Sequence, residues 1–130
     1  MERKFHSDGS LPQGREIFVF GSNEAGRHGA GAAKAAHRLY GAVYGVADGL
    51  VGRCYGIPTK DYNLLLLDLN EIGRNVKEFV DFTYDHPELQ FFVTSVGCGL
   101  AGYMVREIAP LFRHAVNCSF PSHWEPYLDG

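Results

Sequence analysis

The sequence has few cysteines, no long apolar run and no excess of basic residues, and each absence excludes a class of protein. The three cysteines, Cys54, Cys98 and Cys118, are an odd number without the paired spacing of a zinc site. We therefore expect a reduced, cytoplasmic protein without a metal or cofactor. No apolar run approaches the roughly 18 residues that span a membrane, and residues 1–14 lack the apolar segment of a secretion signal.

The composition predicts one globular domain with a slightly acidic surface. The chain has 130 residues, of which 45% are hydrophobic and 13% aromatic, enough to build a single core. Its net charge of -3 argues against a general grip on nucleic-acid phosphates, although backbone amides could still hold a small anion. We expect a flexible N-terminal segment at residues 1–13 and a single domain at residues 14–130.

The most informative stretch is a strand, a glycine-rich loop and a helix near the N-terminus. Ile17–Phe20 has the apolar character of a buried strand, residues 21–31 are rich in glycine, and Ala30–Tyr40 is rich in alanine. Loop amides and a helix N-terminus together favour phosphate binding. The loop matches neither GxGxxG nor GxxxxGK[ST], so a purely structural turn is the alternative.

The rest of the chain continues the alternation of strands and helices. Further strands are predicted at Cys54–Ile57, Gln90–Ser95 and Val116–Phe120, and helices at residues 68–86 and 105–113. Residues 41–52 are interpreted as a loop, residues 64–67 as a short strand or a buried loop, and residues 121–130 as a tail. This order predicts an α/β fold with a mostly parallel sheet.

Three polar loops should meet at the carboxyl edge of that sheet, where ligands of such folds bind. The loops are residues 21–31, 59–63 and 95–103. Asn23 suits a ribose hydroxyl, or it closes an Asx turn. Lys60 could be an amine nucleophile at a sugar carbon, or a solvated surface lysine. Cys98 is interpreted as a small packed residue because no histidine is placed near it by sequence.

These residues resemble the macrodomain family, whose members bind ADP-ribose. Asn23 precedes a glycine-rich turn and an alanine-containing helix, and VGCGLAGY at residues 96–103 is similar to the macrodomain phosphate loop. IPTK at residues 57–60 resembles the lysine motif of one branch. That branch contains the terminal ADP-ribose protein glycohydrolase and the antitoxins that remove ADP-ribose from DNA. The chain is also similar to short macrodomain-like proteins of phages.

The resemblance implies a three-layer α/β/α fold that binds ADP-ribose or a related nucleotide. It implies that Lys60 is the catalytic residue that attacks the ribose C1″, and that nucleic acid would be met only as an ADP-ribosylated substrate. The ligand-binding residues that it implies are Gly21, Ser22, Asn23, Gly29, Ala30, Gly31, Ala32, Thr59, Val96, Gly97, Cys98, Gly99, Leu100, Ala101, Gly102 and Tyr103.

The sequence also departs from the family pattern in two places. Ala101 stands where the protein glycohydrolase has an aspartate, whereas the DNA-acting antitoxins have a glycine there. The usual first strand with a Gly-Asp pair has no match before Ile17, because Asp8-Gly9 reverses the order. We therefore expect a sheet truncated at its N-terminus by one or two strands. A hydrolase acting through Lys60 and a binding module that sequesters a nucleotide signal are both consistent with these residues.

Overall fold

The computed structural model describes residues 3–99 and 102–129. The strands are β1 (Lys4–His6), β2 (Ile17–Asn23), β3 (Gly49–Val51), β4 (Cys54–Lys60), β5 (Phe91–Val93) and β6 (Cys118–Pro121). The helices are α1 (Gly31–Leu39), α2 (Leu69–Asp85) and α3 (Val105–Ile108), with 3₁₀ helices at Ala109–Phe112 and Ser122–Tyr127. No helix in the described part of the chain is long and apolar enough to cross a membrane.

The six strands form one sheet in the order β1-β6-β5-β2-β4-β3. Every neighbouring pair is parallel except β3 and β4. The prediction of an α/β fold with a mostly parallel sheet is therefore confirmed. Strand β2 lies near the middle, where Phe18 is aligned with both Cys54 of β4 and Phe92 of β5.

Alternate side chains of the central strands enter two separate hydrophobic cores. Ile17 and Val19 of β2 join a core with α2 and with the 3₁₀ helices of the C-terminal region. Phe18 and Phe20 enter the second core, which is built with α1. Since successive side chains of a strand point to opposite faces, helices cover both faces of the sheet. Helices α2 and α3 therefore share one core, and α1 belongs to the other.

Helix α2 begins and ends close to the predicted bounds. Asp68 is its N-cap, and the Asp68 carboxylate accepts a hydrogen bond from the Glu71 amide at 2.8 Å. Ile72, Val76 and Phe79 are buried at helical spacing against the sheet. A local signal and an amphipathic pattern agree here, which is why the prediction was close.

The expectation of a flexible segment at residues 1–13 is wrong for Lys4–His6. These residues form β1, which pairs in parallel with β6, and His6 stacks on Phe92 with ring centroids 3.7 Å apart. A strand therefore does precede Ile17, which the sequence pattern did not predict. A three-residue edge strand held by a distant partner leaves little periodic signal in the sequence.

Other bounds also differ from the prediction because tertiary pairing decides them. Gly49–Val51 forms an antiparallel edge strand on β4 within the segment interpreted as a loop. Strand β4 continues through Pro58 to Lys60. Strand β3 pairs with β4 only as far as Gly56. Pro58 therefore lies beyond the β3 pairing, where a missing N–H is tolerated. The predicted tail carries Trp124, which is completely buried.

Pro110 explains the short third helix. The α-helical hydrogen bonding ends at Ile108, and a 3₁₀ helix with Pro110 in its first turn follows. The prediction of one continuous helix over residues 105–113 is therefore wrong in its second half.

Candidate functional site

A cavity of about 910 Å³ opens at the carboxyl edge of the sheet, and we name it the carboxyl-edge cavity. It lies where β2, β4 and β5 end, next to the first turn of α1. Its volume is in the range of small-molecule sites. The described residues that line it are Asp8, Gly9, Ser10, Leu11, Phe18, Gly21, Ala30, Gly31, Ala32, Ala33, Ala35, Thr59, Lys60, Leu64, Leu65, Leu66, Thr94, Ser95, Gly97, Gly99 and Gly102.

The N-terminus of α1 forms one wall of this cavity. Ala30 is the N-cap and has no side chain that could accept from the first amides of the helix. Ala30, Gly31, Ala32 and Ala33 all line the cavity, and the first turn contains no acidic residue. Amides of a first helical turn have no partner within the helix and carry partial positive charge. This wall is therefore suited to an anion.

The glycine-rich loop that follows β5 forms a second wall of the cavity, and it has no room for a side chain at position 102. A Cβ at Gly102 would collide with the carbonyl oxygen of Gly97 and lie 2.9 Å from that of Gly99. The amides of Gly102 and Tyr103 donate to the carbonyls of Gly99 and Gly97, which closes the loop on itself. The tight turn requires glycine at position 102 and brings bare backbone to the cavity surface.

Lys60 lies at the end of β4, exposed on the cavity lining. Thr59 beside it is buried, and its hydroxyl donates to the carbonyl of Ser22 at 3.2 Å. Within residues 3–99 and 102–129, Lys60 has no ion-pair partner within 4.0 Å. The ammonium is therefore positioned by its strand and available to a ligand in the cavity.

The side chain of Asn23 closes a local turn, which was the alternative to a ribose contact. Its amide nitrogen donates to the carbonyl of Arg27 at 2.9 Å, and its amide oxygen accepts from the Arg27 N–H at 3.0 Å. Both polar groups of the side chain therefore hold the loop closed, and Asn23 does not line the cavity. A ribose contact would require this pair of hydrogen bonds to be broken.

Five other residues from the implied ligand-binding set also lie away from the cavity lining: Ser22, Gly29, Val96, Cys98 and Tyr103. Ser22 donates to the carbonyl of Ala47, and Tyr103 donates to the carbonyl of Leu67 at 2.8 Å. Leu100 and Ala101 lie outside the described residues. The remaining predicted residues, Gly21, Ala30, Gly31, Ala32, Thr59, Lys60, Gly97, Gly99 and Gly102, are brought together as expected.

Cys98 is not suited to act as a nucleophile. Burial raises the pKa of its thiol to about 11, with a smaller contribution from the nearby Asp8 carboxylate. The thiol is therefore protonated at neutral pH, which agrees with the interpretation of a small packed residue.

The N-terminal segment contributes residues that sequence reasoning missed. Asp8 follows β1 and lines the cavity together with Gly9, Ser10 and Leu11. The Ser95 hydroxyl donates to Asp8 Oδ1 at 2.7 Å, which ties this segment to the end of β5. The position of Asp8-Gly9 after a short strand was the available signal. Thr94, Ser95 and the leucines at residues 64–66 were also missed.

His28 is buried next to the first loop without hydrogen-bond partners. It is 1% exposed, and neither ring nitrogen has a partner among the described residues. Its ring lies parallel to that of His37 at 5.5 Å and also contacts Phe20 and Tyr44. Burial, and to a smaller extent the proximity of His37, lowers the pKa of His28. The loop is therefore packed around a neutral imidazole.

A second cavity of about 860 Å³ lies at the opposite edge, where β1 and β6 begin. Arg3 lines it, but the Arg3 guanidinium donates to both carboxylate oxygens of Asp129 and to the carbonyl of Arg113. The Arg3 guanidinium is therefore already bound by groups of the same chain. Ligands of parallel sheets bind at the carboxyl ends of strands, which favours the first cavity as the functional site.

Two solved structures of proteins from Bacteroides thetaiotaomicron share this fold. The first, a protein of unknown function, aligns with a TM-score of 0.64 over 93% of this chain and 98% of its own, at 16% identity. The second aligns with a TM-score of 0.57 over 92% of this chain and 99% of its own, at 18% identity. At this identity the likeness shows the fold alone. No protein-family model matches the sequence, and no curated protein is significantly similar to it.

We predict that Gly102→Ala destabilises the protein, whereas Gly99→Ala does not. The added methyl group at position 102 meets the carbonyl oxygens of Gly97 and Gly99, but a Cβ at position 99 has nothing within 4 Å. Overpacking of this kind costs about 1–3 kcal/mol. Chemical denaturation measures both variants, and equal stability of the two would contradict the tight turn.

We predict that the free energy of unfolding falls as pH is lowered below about 6.5, and that His28→Phe reduces this fall. Because burial lowers the pKa of folded His28, the unfolded chain binds its proton first as pH falls. The loss begins at the pKa of the unfolded histidine and grows until the lower folded pKa is reached. Denaturation curves between pH 5 and 8 measure the slope.

His6, whose pKa burial also lowers, supplies a control for this experiment. His6→Phe should remove a separate share of the pH dependence, and the double variant should remove both. An unchanged slope in His28→Phe would show that His28 has the same pKa in the folded and the unfolded protein, as an exposed histidine does.

Proposed function

We propose that this protein is a macrodomain-like protein that binds ADP-ribose, or a molecule that carries ADP-ribose, in the carboxyl-edge cavity. The observation that carries the proposal is the convergence of three features on one cavity. These are the uncapped first turn of α1, the glycine loop that ends at Gly102, and the Lys60 ammonium. Helices on both faces of a mostly parallel sheet fit the three-layer macrodomain architecture.

The two backbone walls would hold the diphosphate. Gly31 and Ala32 line the cavity in the first turn of α1, and their amides would bind the diphosphate from one side. Gly97 and Gly99 face it from the other, where the lack of side chains permits close approach of a phosphate. Neither wall requires a basic side chain, which reconciles an anionic ligand with a net charge of -3.

Asp8 would recognise the adenine. In macrodomains an aspartate that follows an early strand bonds the adenine amino group, and Asp8 follows β1 and lines the cavity. Ser95 occupies Asp8 Oδ1, so Oδ2 would accept from the amino group. This assignment replaces the missing Gly-Asp motif with the reversed Asp8-Gly9 pair.

Lys60 would act at the distal ribose. In its neutral form the amine would attack C1″, forming a C–N bond while the glycosidic bond breaks and the leaving group takes up a proton. Water would then release ADP-ribose and restore the lysine. A non-catalytic binding module is the second candidate, because Ala101 replaces the aspartate of the protein glycohydrolase.

We predict that Ala32→Asp weakens ADP-ribose binding at least about tenfold. A carboxylate in the first turn complements the helix dipole, yet it repels a diphosphate at the same place. Ala32→Asn is the matched neutral control and should retain most of the affinity. Calorimetric titration of ADP-ribose measures all three proteins, and no binding by the wild type at millimolar ligand would overturn the proposal.

We predict that Lys60→Ala abolishes release of ADP-ribose from ADP-ribosylated peptide or oligonucleotide while binding of free ADP-ribose persists. Lys60→Arg retains the positive charge but not the nucleophile, so it should be equally inactive. Chromatography of released ADP-ribose is the readout. If the wild type binds ADP-ribose but releases none from either substrate, the binding-module alternative is favoured.

A further inference from the structure

The rim of the carboxyl-edge cavity carries an unusual run of exposed leucines. Leu64, Leu65 and Leu66 are 45%, 65% and 36% exposed, and all three line the cavity. Leu11, 46% exposed, belongs to the same lining. Single exposed leucines are ordinary, but a contiguous apolar surface at a cavity marks a contact with something outside the chain. We name residues 64–66 the leucine lip.

The leucine lip is held in place by hydrogen bonds and does not fold onto either core. Asp61 Oδ1 accepts from the amides of Asn63 and Leu65 at 2.8 and 3.0 Å. The Asp61 amide donates to the carbonyl of Leu65, and the Leu67 amide donates to that of Thr59. The exposed side chains are therefore presented by a defined turn of the backbone.

Leu64 has a backbone conformation that is unfavourable for leucine. Its φ of 63° lies in the left-handed region, where asparagine and glycine are preferred and leucine is disfavoured. A side chain that is nearly half exposed gains little from the core in return. A contact with a bound ligand would account for leucine at this position.

The lip lies directly beside Lys60. Leu66 pairs with Lys60 across an antiparallel bridge, and directly opposite residues of such a pair place their side chains on the same face. Both residues line the cavity. A group bonded to the ribose carbon that Lys60 approaches would therefore meet the leucine lip.

The charges around the cavity favour an uncharged group at this position. Within the described lining, Asp8 and Lys60 are the only charged side chains, and Asp8 is tied to Ser95. The same lining contains no arginine that could hold a carboxylate or a nucleic-acid phosphate. A flat, uncharged ring can place its apolar face on leucines and keep polar edge atoms towards water.

We propose that the leucine lip is a subsite for a flat, uncharged ring attached to the distal ribose of an ADP-ribosyl small molecule. This inference rests on the proposed ADP-ribose binding and deepens it by naming the class of ligand. It predicts that the acceptor side of the site prefers a heteroaromatic base or a similar ring to an acidic side chain or a nucleic-acid backbone.

The test compares three ligands by calorimetry: ADP-ribose, its 1″-O-methyl derivative and its 1″-O-phenyl derivative, the last two as both anomers. One phenyl anomer should bind about tenfold more tightly than the corresponding methyl ether, because burial of a ring against leucines removes apolar area from water. Binding of ADP-ribose without a phenyl preference would overturn the subsite and leave the proposed function intact. No binding of any of the three would overturn both.

Leu64→Asn separates a ligand contact from a structural role. Asparagine tolerates the left-handed backbone, so this variant should keep or raise the thermal midpoint while it loses most of the phenyl preference. Leu66→Asn should lose the preference as well. Leu39 is 54% exposed and lies outside the cavity lining, so Leu39→Asn is the control and should retain the preference. A lower thermal midpoint in Leu64→Asn with an unchanged phenyl preference would show that the lip is structural.

Discussion

The parallel pairing of β2 with both β4 and β5 is the constraint on which the site depends. Phe18 is aligned with Cys54 on one side and with Phe92 on the other. Parallel strands in register end at the same edge, so the loops that follow Asn23, Lys60 and Val93 open towards one cavity. A slip of one residue would exchange the two cores and turn every side chain of β2 to the wrong face.

The two walls of this cavity, at the first turn of α1 and at the loop that ends at Gly102, are formed mainly by backbone atoms and not by charged side chains. Small residues occupy the first turn of α1, and the loop that ends at Gly102 admits no side chain there. Among the described residues, the cavity therefore combines two walls of small residues with Asp8, Lys60 and an apolar rim. Such a surface suits a ligand with an anionic centre and uncharged ends, and it suits an extended polyanion poorly.

Sequence reasoning succeeded where a local signal agreed with the tertiary structure. The Asp68 cap and the apolar period of α2 specify the same helix, and the apolar run at Ile17–Phe20 has the length and residue types of a buried strand. It failed at short edge strands, since Lys4–His6 and Gly49–Val51 are strands only because β6 and β4 pair with them. Asn23 illustrates another limit. The sequence shows an asparagine in the same place whether its side chain closes a turn or binds a ribose.

Local sequence patterns specify the alternation of β2, β4, β5 and β6 with helices, the glycine positions and the place of Lys60 after a strand. These depend on propensities and periods that act over a few residues. Long-range strand pairing places Asp8 and the leucine lip in the same cavity as Lys60 and the helix N-terminus. No local pattern reveals this proximity, because the pairing joins segments that are distant in the sequence and is selected by the burial of both cores.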